Sequence, residues 1–416
     1  MVPQVVLQTA DAAGGFRCRA FVSHAAARPL HLVVMPGDSS AAAAQYAERL
    51  GRFLERELTV LCGAPQLPCG GKPPSFLGCL FHLGGHFLVL VGDGSAPLSM
   101  PPGTGGWSVI PILPRAVQAR ATTLLPAPLS GVVAAFFRHS PSEVVAEVLA
   151  AAKITLARPR IFISYRRDDT QGLANQLFDV LARAQFDVFL DHFRAPPGVL
   201  LLDRLRQELA DKTMVLALES ATYLSSLWTR YEARVAQSLR LGLFAVTVPS
   251  GVNIAGVGAA RRQVMQPGDF VGGRFHVGAE LLDPLVPTLV ERIRTEHDRA
   301  AISRRNQLAR SMQAALLLRG VRNQYFDAEG RLLAQNNTSL AQRYAIWLAS
   351  RAPQLSDFHA AAVPVTGAQP VVLGLARSME PQRRREVDWL SQSADVRLRD
   401  ESRLAQMARE IASGAL

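Results

Sequence analysis

The chain has 416 residues, 49% of them hydrophobic, so it is too long for one typical core and apolar enough to bury several. Its formal net charge of +11 permits a polyanionic partner. However, arginines alternate with acids in stretches such as EPQRRREVDWL (380–390), which favours a mixed solvated surface over a nucleic-acid-binding face. We therefore expect two or three globular domains, with nucleic acid possible but not favoured as a partner.

No targeting or membrane signal stands out. The N-terminal segment MVPQVVLQTADAAGG lacks the basic and apolar regions of a signal peptide. The most apolar stretch, 76–92, is broken by Gly84 and Gly85 and falls short of a membrane span, so a buried strand at 87–91 explains it better. The cysteines form neither a CxxC pair nor a zinc signature: Cys18, Cys62, Cys69 and Cys79. We expect a cytoplasmic protein with reduced thiols, no bound metal and no membrane association.

The first region, 1–155, alternates strand and helix patterns. The predicted strands are short ones within 1–20, then 31–37, 58–63, 87–91 and 107–114. The predicted helices are 39–57 and 140–154, each with serine available as a cap. Such alternation predicts an α/β domain with a mainly parallel sheet.

A second α/β pattern follows the break at 155–160. Its predicted strands are 160–165, 186–191, 214–220 and 243–249. Its predicted helices are 170–185, 199–213, 221–242, which ends at Gly242, and 279–305. From about residue 306 the pattern is less regular. We expect a continued helix at 311–320, a hairpin at 322–337, a helix at 338–352, a strand at 369–377 and a helix at 401–414. These elements predict a small α/β or α+β domain over 306–416, with a sensor or assembly role.

Four motifs of the middle region carry a family resemblance. They are RIFISYRRDD (160–169), FDVFLDHFRAPPG (186–198), MVLALES (214–220) followed by YLSSLWTRYE, and LFAVTVP (243–249). In this order they resemble bacterial Toll/interleukin-1 receptor (TIR) domains over residues 160–298. The resemblance implies a flavodoxin-like domain at 158–298, a parallel sheet flanked by helices.

The resemblance also implies an activity. Many TIR domains hydrolyse NAD+ at the nicotinamide–ribose bond with one glutamate, in a context like S-x-W-C-x-x-E. Here Ser226, Trp228 and Glu232 stand at that spacing, with Thr229 in place of the usual cysteine. We therefore expect an NAD+ hydrolase that forms ADP-ribose or a cyclised product, with NAD+ as substrate, Glu232 as the catalytic residue and no cofactor.

The chemistry agrees with a single carboxylate. Nicotinamide leaves as a neutral molecule, so no general acid is needed, and the barrier lies in forming an oxocarbenium-like ribose that a fixed carboxylate stabilises. Trp228 and Glu232 share one helical face, although such a pair on a helix is usually a core edge beside a solvated charge.

Further NAD+ contacts are implied by the resemblance alone. The strand-end segment 164–169 would lie at the nucleotide, with Arg166 and Arg167 on the pyrophosphate; a solvated turn is the alternative. The segment 191–198 matches a loop that gates the pocket and mediates TIR–TIR assembly in the family. The complete set of expected contacts is Ser164, Tyr165, Arg166, Arg167, Asp191, Phe193, Arg194 and Trp228.

The strands predicted for the first region follow one another in the same order as those of the TIR-like second region. The helix that would carry the glutamate is replaced there by SAPLSMPPGTGG (95–106), without a Trp-x-x-x-Glu pattern. We interpret 1–155 as a degenerate TIR-like or related α/β domain without catalysis.

The family further implies a biological setting. We expect an effector of bacterial anti-phage immunity, activated by self-assembly into a homo-oligomer or filament, with an activating partner protein or nucleotide signal. The alternative is a non-enzymatic TIR assembly module within a defence or signalling complex.

Overall fold

The computed structural model describes residues 5–10, 15–21, 30–62, 86–102, 104, 106–129, 131–138, 141–152, 154, 159–190, 201–326, 331–336, 342–362 and 364–416. The chain forms two compact units, Met1–Ala157 and a second unit made of Arg158–Asp327 and Arg331–Leu416. Within the described residues, no helix combines the length and the apolar character needed to cross a membrane.

The first unit is built on one six-stranded sheet. Its strands are β1 Val5–Ala10, β2 Phe16–Phe21, β3 Leu30–Pro36, β4 His86–Val91, β5 Ser108–Pro114 and β6 Ala135–Phe137. Its helices are α1 Ala41–Cys62, α2 Ala121–Leu124 and α3 Val145–Ala151. The strand order is β2-β1-β3-β4-β5-β6, with β1 and β2 antiparallel and every other pair parallel.

The predicted strand at 58–63 is wrong, because this segment continues α1 to Cys62. Leu50, Leu54 and Leu58 recur at four-residue spacing and are fully buried, so the apolar stripe of the helix extends past the predicted end. The sheet continues directly from β3 to β4 in parallel, and β1 lies between β3 and the antiparallel β2. One of the strands on which the TIR-like interpretation of 1–155 depends is therefore absent, and that interpretation stays a prediction.

The second unit begins with a parallel five-stranded sheet. Its strands are β7 Arg160–Ser164, β8 Asp187–Leu190, β9 Met214–Glu219, β10 Gly242–Thr247 and β11 Arg262–Val264. Its helices are α4 Arg167–Arg183, α5 Leu201–Asp211, α6 Leu227–Ser238 and α7 Val286–Leu317. The order is β11-β10-β9-β7-β8, so β7, the first strand along the chain, lies between β8 and β9, the second and third. This is the flavodoxin-like order, so the predicted fold is confirmed.

Helix α6 is shorter than predicted. It starts at Leu227 and ends at Ser238, and Gly242 is the first residue of β10 rather than a helix-terminating residue. Arg240 adopts the left-handed conformation of the turn, with φ of 54°. Gly242 has a different role. A Cβ at this position would collide with the Cβ of Ala300, so the lack of a side chain lets α7 pack closely on β10.

The second unit continues into a C-terminal lobe. Its strands are β12 Gln324–Phe326, β13 Leu332–Gln335, β14 Arg343–Leu348, β15 Ala368–Gly374 and β16 Arg397–Asp400. Its helices are α8 Leu355–Ala362, α9 Pro381–Ser393 and α10 Leu404–Ser413. The strands lie in chain order across the sheet, antiparallel from β12 to β14 and parallel from β14 to β16. The predicted hairpin, the strand β15 and the final helix are present.

The predicted helix at 338–352 is wrong. Residues 343–348 form β14, which pairs with β13 on one side and β15 on the other. Tyr344, Ala345 and Ile346 are all buried, so the run is apolar on both faces of the sheet rather than on one face of a helix.

Helix α7 belongs to both parts of the second unit. Leu289 and Ile293 pack in the core of the parallel sheet around β7, whereas Leu308 and Met312 pack in the core of the C-terminal lobe. The predicted limits at 298 and 306 both fall inside this helix. The two lobes also share the backbone hydrogen bond from Ala352 N–H to the Ala210 carbonyl, 2.8 Å long.

Candidate functional site

The carboxyl ends of β7 and β9 form the topological switch point of the second unit. The chain runs from β7 through α4 to β8 on one side, and β9 lies on the other side of β7. Open parallel sheets bind ligands in the crevice at such a point. Ser164 ends β7 and Glu219 ends β9, so the residues that follow them are the first candidates for a site.

Glu232 lies beside this edge, on α6. Ser226 caps the helix, since the Thr229 N–H donates to its hydroxyl at 3.5 Å. The Glu232 residue is only 5% exposed. The buried hydroxyl of Ser164 donates a hydrogen bond to Glu232 Oε2. Two residues predicted for the site from separate motifs are therefore in direct contact.

Tyr223 joins this contact. Its hydroxyl lies 2.6 Å from Ser164 Oγ, and its side chain is fully buried. A serine hydroxyl carries one hydrogen, which Ser164 gives to Glu232, so the Tyr223 hydroxyl donates to Ser164. Burial, and then the negative charge of Glu232, raise the pKa of Tyr223 well above its usual range. Tyr223 is therefore a neutral donor at the end of a three-residue hydrogen-bond chain.

Thr229 occupies the position where TIR domains usually carry cysteine. It is buried, and its hydroxyl donates to the backbone carbonyl of Tyr223. A threonine hydroxyl thus joins the first turn of α6 to the residue that bonds Ser164. This departure from the family motif supplies a contact that positions Tyr223.

A second network ties the β7–α4 turn to the loop after β9. The Asp169 carboxylate accepts hydrogen bonds from Ser220, at 2.5 Å, and from Thr222. Burial alone would raise the pKa of Asp169, but these hydroxyls and the charge of Arg166 outweigh it and hold the pKa below its usual value. Arg166 donates to the Thr222 carbonyl, at 3.0 Å, and to the Ser225 hydroxyl. Both sides of the crevice are therefore held in one position.

The other predicted contacts are distributed unevenly. Tyr165 is buried in the apolar core of the parallel-sheet lobe, and Arg167 is exposed on the first turn of α4. Trp228 is the second residue of α6, but its side chain lies outside the described residues, as do Asp191, Phe193 and Arg194.

Tyr223, Ser220 and Thr222 were missed by sequence reasoning, and Asp169, although inside the predicted segment 164–169, was not named as a site residue. The available signal was the run of hydroxyl-bearing residues directly after a buried strand, at the sheet edge where ligands bind.

Glu219 is a second buried glutamate near the same edge, with a different environment. The Arg262 guanidinium donates two hydrogen bonds, of 2.8 and 2.9 Å, to the Glu219 carboxylate. The Thr247 hydroxyl and the Ile254 N–H also donate to it, at 2.5 and 2.7 Å. Glu219 is therefore a saturated structural ion-pair partner, and Glu232 is the carboxylate that the hydroxyl chain orients.

The hydroxyl that donates to Glu232 belongs to Ser164, which in turn contacts the Tyr223 hydroxyl. Across the ranges given above, no cluster of three or more histidine, cysteine, aspartate or glutamate side chains is arranged to hold a metal ion.

Comparison with known families identifies this part of the chain. Residues 161–276 match the family profile of the TIR domain. The chain therefore contains a TIR domain, built from the elements between β7 and the segment after β11.

One solved structure that is similar to the chain contains the TIR domains of "the activated Roq1 resistosome directly recognizing the pathogen effector XopQ". The alignment covers 35% of this chain and 82% of that chain, at 16% identity and a TM-score of 0.20. Comparison with curated proteins yields no match.

Proposed function

We propose that the TIR domain cleaves the nicotinamide–ribose bond of NAD+ with Glu232 as the catalytic residue. The observation that carries the proposal is the hydrogen-bond chain from Tyr223 through Ser164 to Glu232 Oε2, at the switch point of the parallel sheet. A carboxylate fixed in place before the substrate arrives is what the stabilisation of a developing positive charge requires.

Each of the three residues in this hydrogen-bond chain has a role in the proposed reaction. The Glu232 carboxylate stabilises the positive charge that develops on the ribose as neutral nicotinamide leaves. Ser164 fixes the position of Oε2, and Tyr223 fixes the Ser164 hydroxyl, so the carboxylate is oriented before the substrate arrives. Arg166, held at the mouth of the crevice by Thr222 and Ser225, supplies the positive charge that we expect to bind the pyrophosphate.

The low exposure of Glu232 bears on regulation. A residue that is 5% exposed is reached by a substrate only after the groups around it rearrange. Activation by self-association, through the segment 191–198, is the proposed cause of that rearrangement. The proposed product is ADP-ribose, formed when water adds to the ribose carbon that nicotinamide leaves and a proton is released, or a cyclised form, in which a group of the same molecule adds there instead of water. The proposed biological role is that of an effector in bacterial anti-phage defence.

The decisive experiment follows NAD+ and its products by mass spectrometry, with the purified full chain under crowding conditions that favour assembly. Wild type is compared with Glu232→Gln, Glu232→Ala and the control Glu280→Gln, which alters an exposed carboxylate. We expect wild type and the control to consume NAD+ and both Glu232 variants to leave it intact. Loss of NAD+ at the wild-type rate in Glu232→Ala would show that Glu232 is not catalytic.

A non-enzymatic assembly module is the second candidate, and the same burial favours it. A carboxylate bonded to the Ser164 hydroxyl is also a sound way to hold α6 against β7. Under this alternative Arg194→Glu abolishes self-association, measured by sedimentation velocity, while Glu232→Gln changes neither association nor the cellular response. A cellular response that is lost in Glu232→Gln with association intact excludes the alternative.

A further inference from the structure

A cleft of about 250 Å³ lies away from Glu232, among the C-terminal end of α6, the middle of α7 and the segment after β10. Met214 and Gly242, the first residues of β9 and β10, line it, so it opens at the amino edge of the sheet. The charged residues that line it are Arg240, Arg261, Glu296, Arg299 and Arg304. One carboxylate thus faces four guanidinium groups.

Pairing within the cleft leaves the positive charge in excess. Arg299 is paired with Glu296, and Arg304 is paired with Glu401. Arg240 and Arg261 are exposed, and neither guanidinium has a hydrogen-bond or ion-pair partner among the residues that the structure describes. These two side chains are therefore available to an anion from solution.

Arg304 supplies an independent indication. The residue is 4% exposed, and its Nε–H is buried without an acceptor in the described part of the chain. Buried donors are nearly always satisfied, because leaving one unpaired is costly. The Nε atom is closed to solvent, so an anion in the cleft that Arg304 lines would compensate the positive charge of its guanidinium rather than bond to Nε.

The nearby end of α6 does not cancel this attraction. Helix C-termini carry exposed carbonyl groups that repel anions. Here the carbonyls of Val235, Ala236 and Gln237 accept hydrogen bonds from the N–H groups of the turn that follows. The partial negative charge of the helix end is therefore partly neutralised by its own backbone.

We propose that this cleft binds a phosphoryl group, either of inorganic pyrophosphate or of the diphosphate of a nucleotide. Guanidinium groups bind phosphate oxygens through paired hydrogen bonds, which suits the exposed Arg240 and Arg261, and the buried Arg304 adds positive charge to the lining. A volume of about 250 Å³ equals that of roughly eight water molecules and is smaller than the pockets that enclose whole drug-sized ligands. The cleft therefore holds the diphosphate, and a nucleoside attached to it lies outside.

The site connects two elements of different roles. Arg240 follows directly on α6, the helix that carries Glu232, and Arg304 lies on α7, the helix shared with the C-terminal lobe. An anion bound to Arg240 and attracted by the charge of Arg304 favours one position of the α6 end relative to α7. The proposal does not rest on the reaction at Glu232, since none of the residues in the Tyr223–Ser164–Glu232 hydrogen-bond chain lines the cleft.

The test measures binding of pyrophosphate to the full chain by calorimetry and by thermal unfolding, at constant ionic strength. Arg240→Gln/Arg261→Gln is compared with Arg319→Gln/Arg322→Gln, which removes the same charge from exposed positions outside the cleft. We expect saturable binding to wild type, at least about tenfold weaker in the cleft variant and unchanged in the control. Absent binding, or equal affinity in both double variants, would overturn the proposal.

A second arm distinguishes the sources of the phosphoryl group. ADP that binds more tightly than pyrophosphate, with the same dependence on Arg240 and Arg261, identifies a nucleotide; equal affinity identifies the diphosphate alone. Should the cleft variant fail to fold, Gln307→Glu places a negative charge in the cleft without removing an arginine. It should weaken pyrophosphate binding similarly, and wild-type affinity in a folded Gln307→Glu protein would count against the site.

Discussion

The hydroxyl of Ser164 donates to the carboxylate of Glu232, so the last residue of β7 and a residue on α6 share one buried hydrogen bond across 68 positions of sequence. This contact joins the crevice of the parallel sheet to the helix that carries the proposed catalytic residue. The Tyr223 hydroxyl bonds to Ser164, and the Thr229 hydroxyl bonds to the Tyr223 carbonyl. These two contacts connect the loop between β9 and α6 to the same network.

Ser164→Ala should reduce NAD+ consumption with the fold retained. The substitution removes a hydrogen bond to a charged group, and such bonds contribute about 1.5–3 kcal/mol, which corresponds to roughly a tenfold to hundredfold lower rate if the orientation of Glu232 is lost. The rate of NAD+ loss is compared with that of Ser238→Ala, which removes only a local bond to the Val235 carbonyl. Equal rates in the two variants would contradict the positioning role.

Tyr223→Phe should change the response of stability to alkaline pH. Burial and the charge of Glu232 raise the pKa of Tyr223 above its usual value of 10.0, so the folded protein keeps a proton that the unfolded chain releases. The stabilisation is thus full below that pH and falls as the pH rises, by about 1.4 kcal/mol per pH unit. Unfolding free energies measured from neutral pH to about pH 11 should fall more steeply for wild type than for Tyr223→Phe. Parallel curves would mean that the phenol titrates normally.

Glu219 and Arg262 should behave as a structural pair. Arg262→Met leaves the fully buried Glu219 carboxylate without its guanidinium, and breaking a buried pair in this way costs about 3–5 kcal/mol. The double variant Glu219→Gln/Arg262→Met should recover part of that loss, because no unpaired charge remains. Denaturant unfolding of the two single variants and the double variant measures the coupling. Strictly additive losses would argue against a direct pair.

Thr229→Ala should loosen the loop that carries Tyr223. The substitution removes the hydrogen bond that the buried Thr229 hydroxyl donates to the Tyr223 carbonyl, which should lower the unfolding free energy by about 1–3 kcal/mol. Thr229→Ser keeps the hydroxyl and should remain near wild type in unfolding free energy and in NAD+ consumption. A Thr229→Ala protein as stable and active as Thr229→Ser would show that the hydroxyl is dispensable.

The TIR sheet was predictable because its strands are continuous apolar runs separated by helices of regular apolar spacing. The same signals failed where two structures share one pattern. LTVLC reads as a β-branched strand but completes the buried stripe of α1, and YAIWL reads as a helical face but lies in the middle of a sheet. In both cases tertiary burial overrides the local preference.

The candidate site was predictable only in part. Glu232 and Ser164 follow from family motifs, and the structure brings them together. Tyr223 and Asp169 act through contacts across more than fifty residues, to Ser164 and to Ser220, and the spacing of residues along one segment carries no record of such partners. Thr229 read as a mismatch in the motif, and its contact to the Tyr223 carbonyl became visible only with the turn that precedes α6.

Helix α7 has a consequence for how such a protein is assembled from parts during evolution. Its 32 residues extend for about 48 Å and complete the cores of both lobes. A recombination event within it would leave each lobe with half of a shared apolar surface. A junction that leaves the helix whole lies before Val286, where the C-terminal lobe keeps it, or beyond Leu317, where the parallel-sheet lobe keeps it.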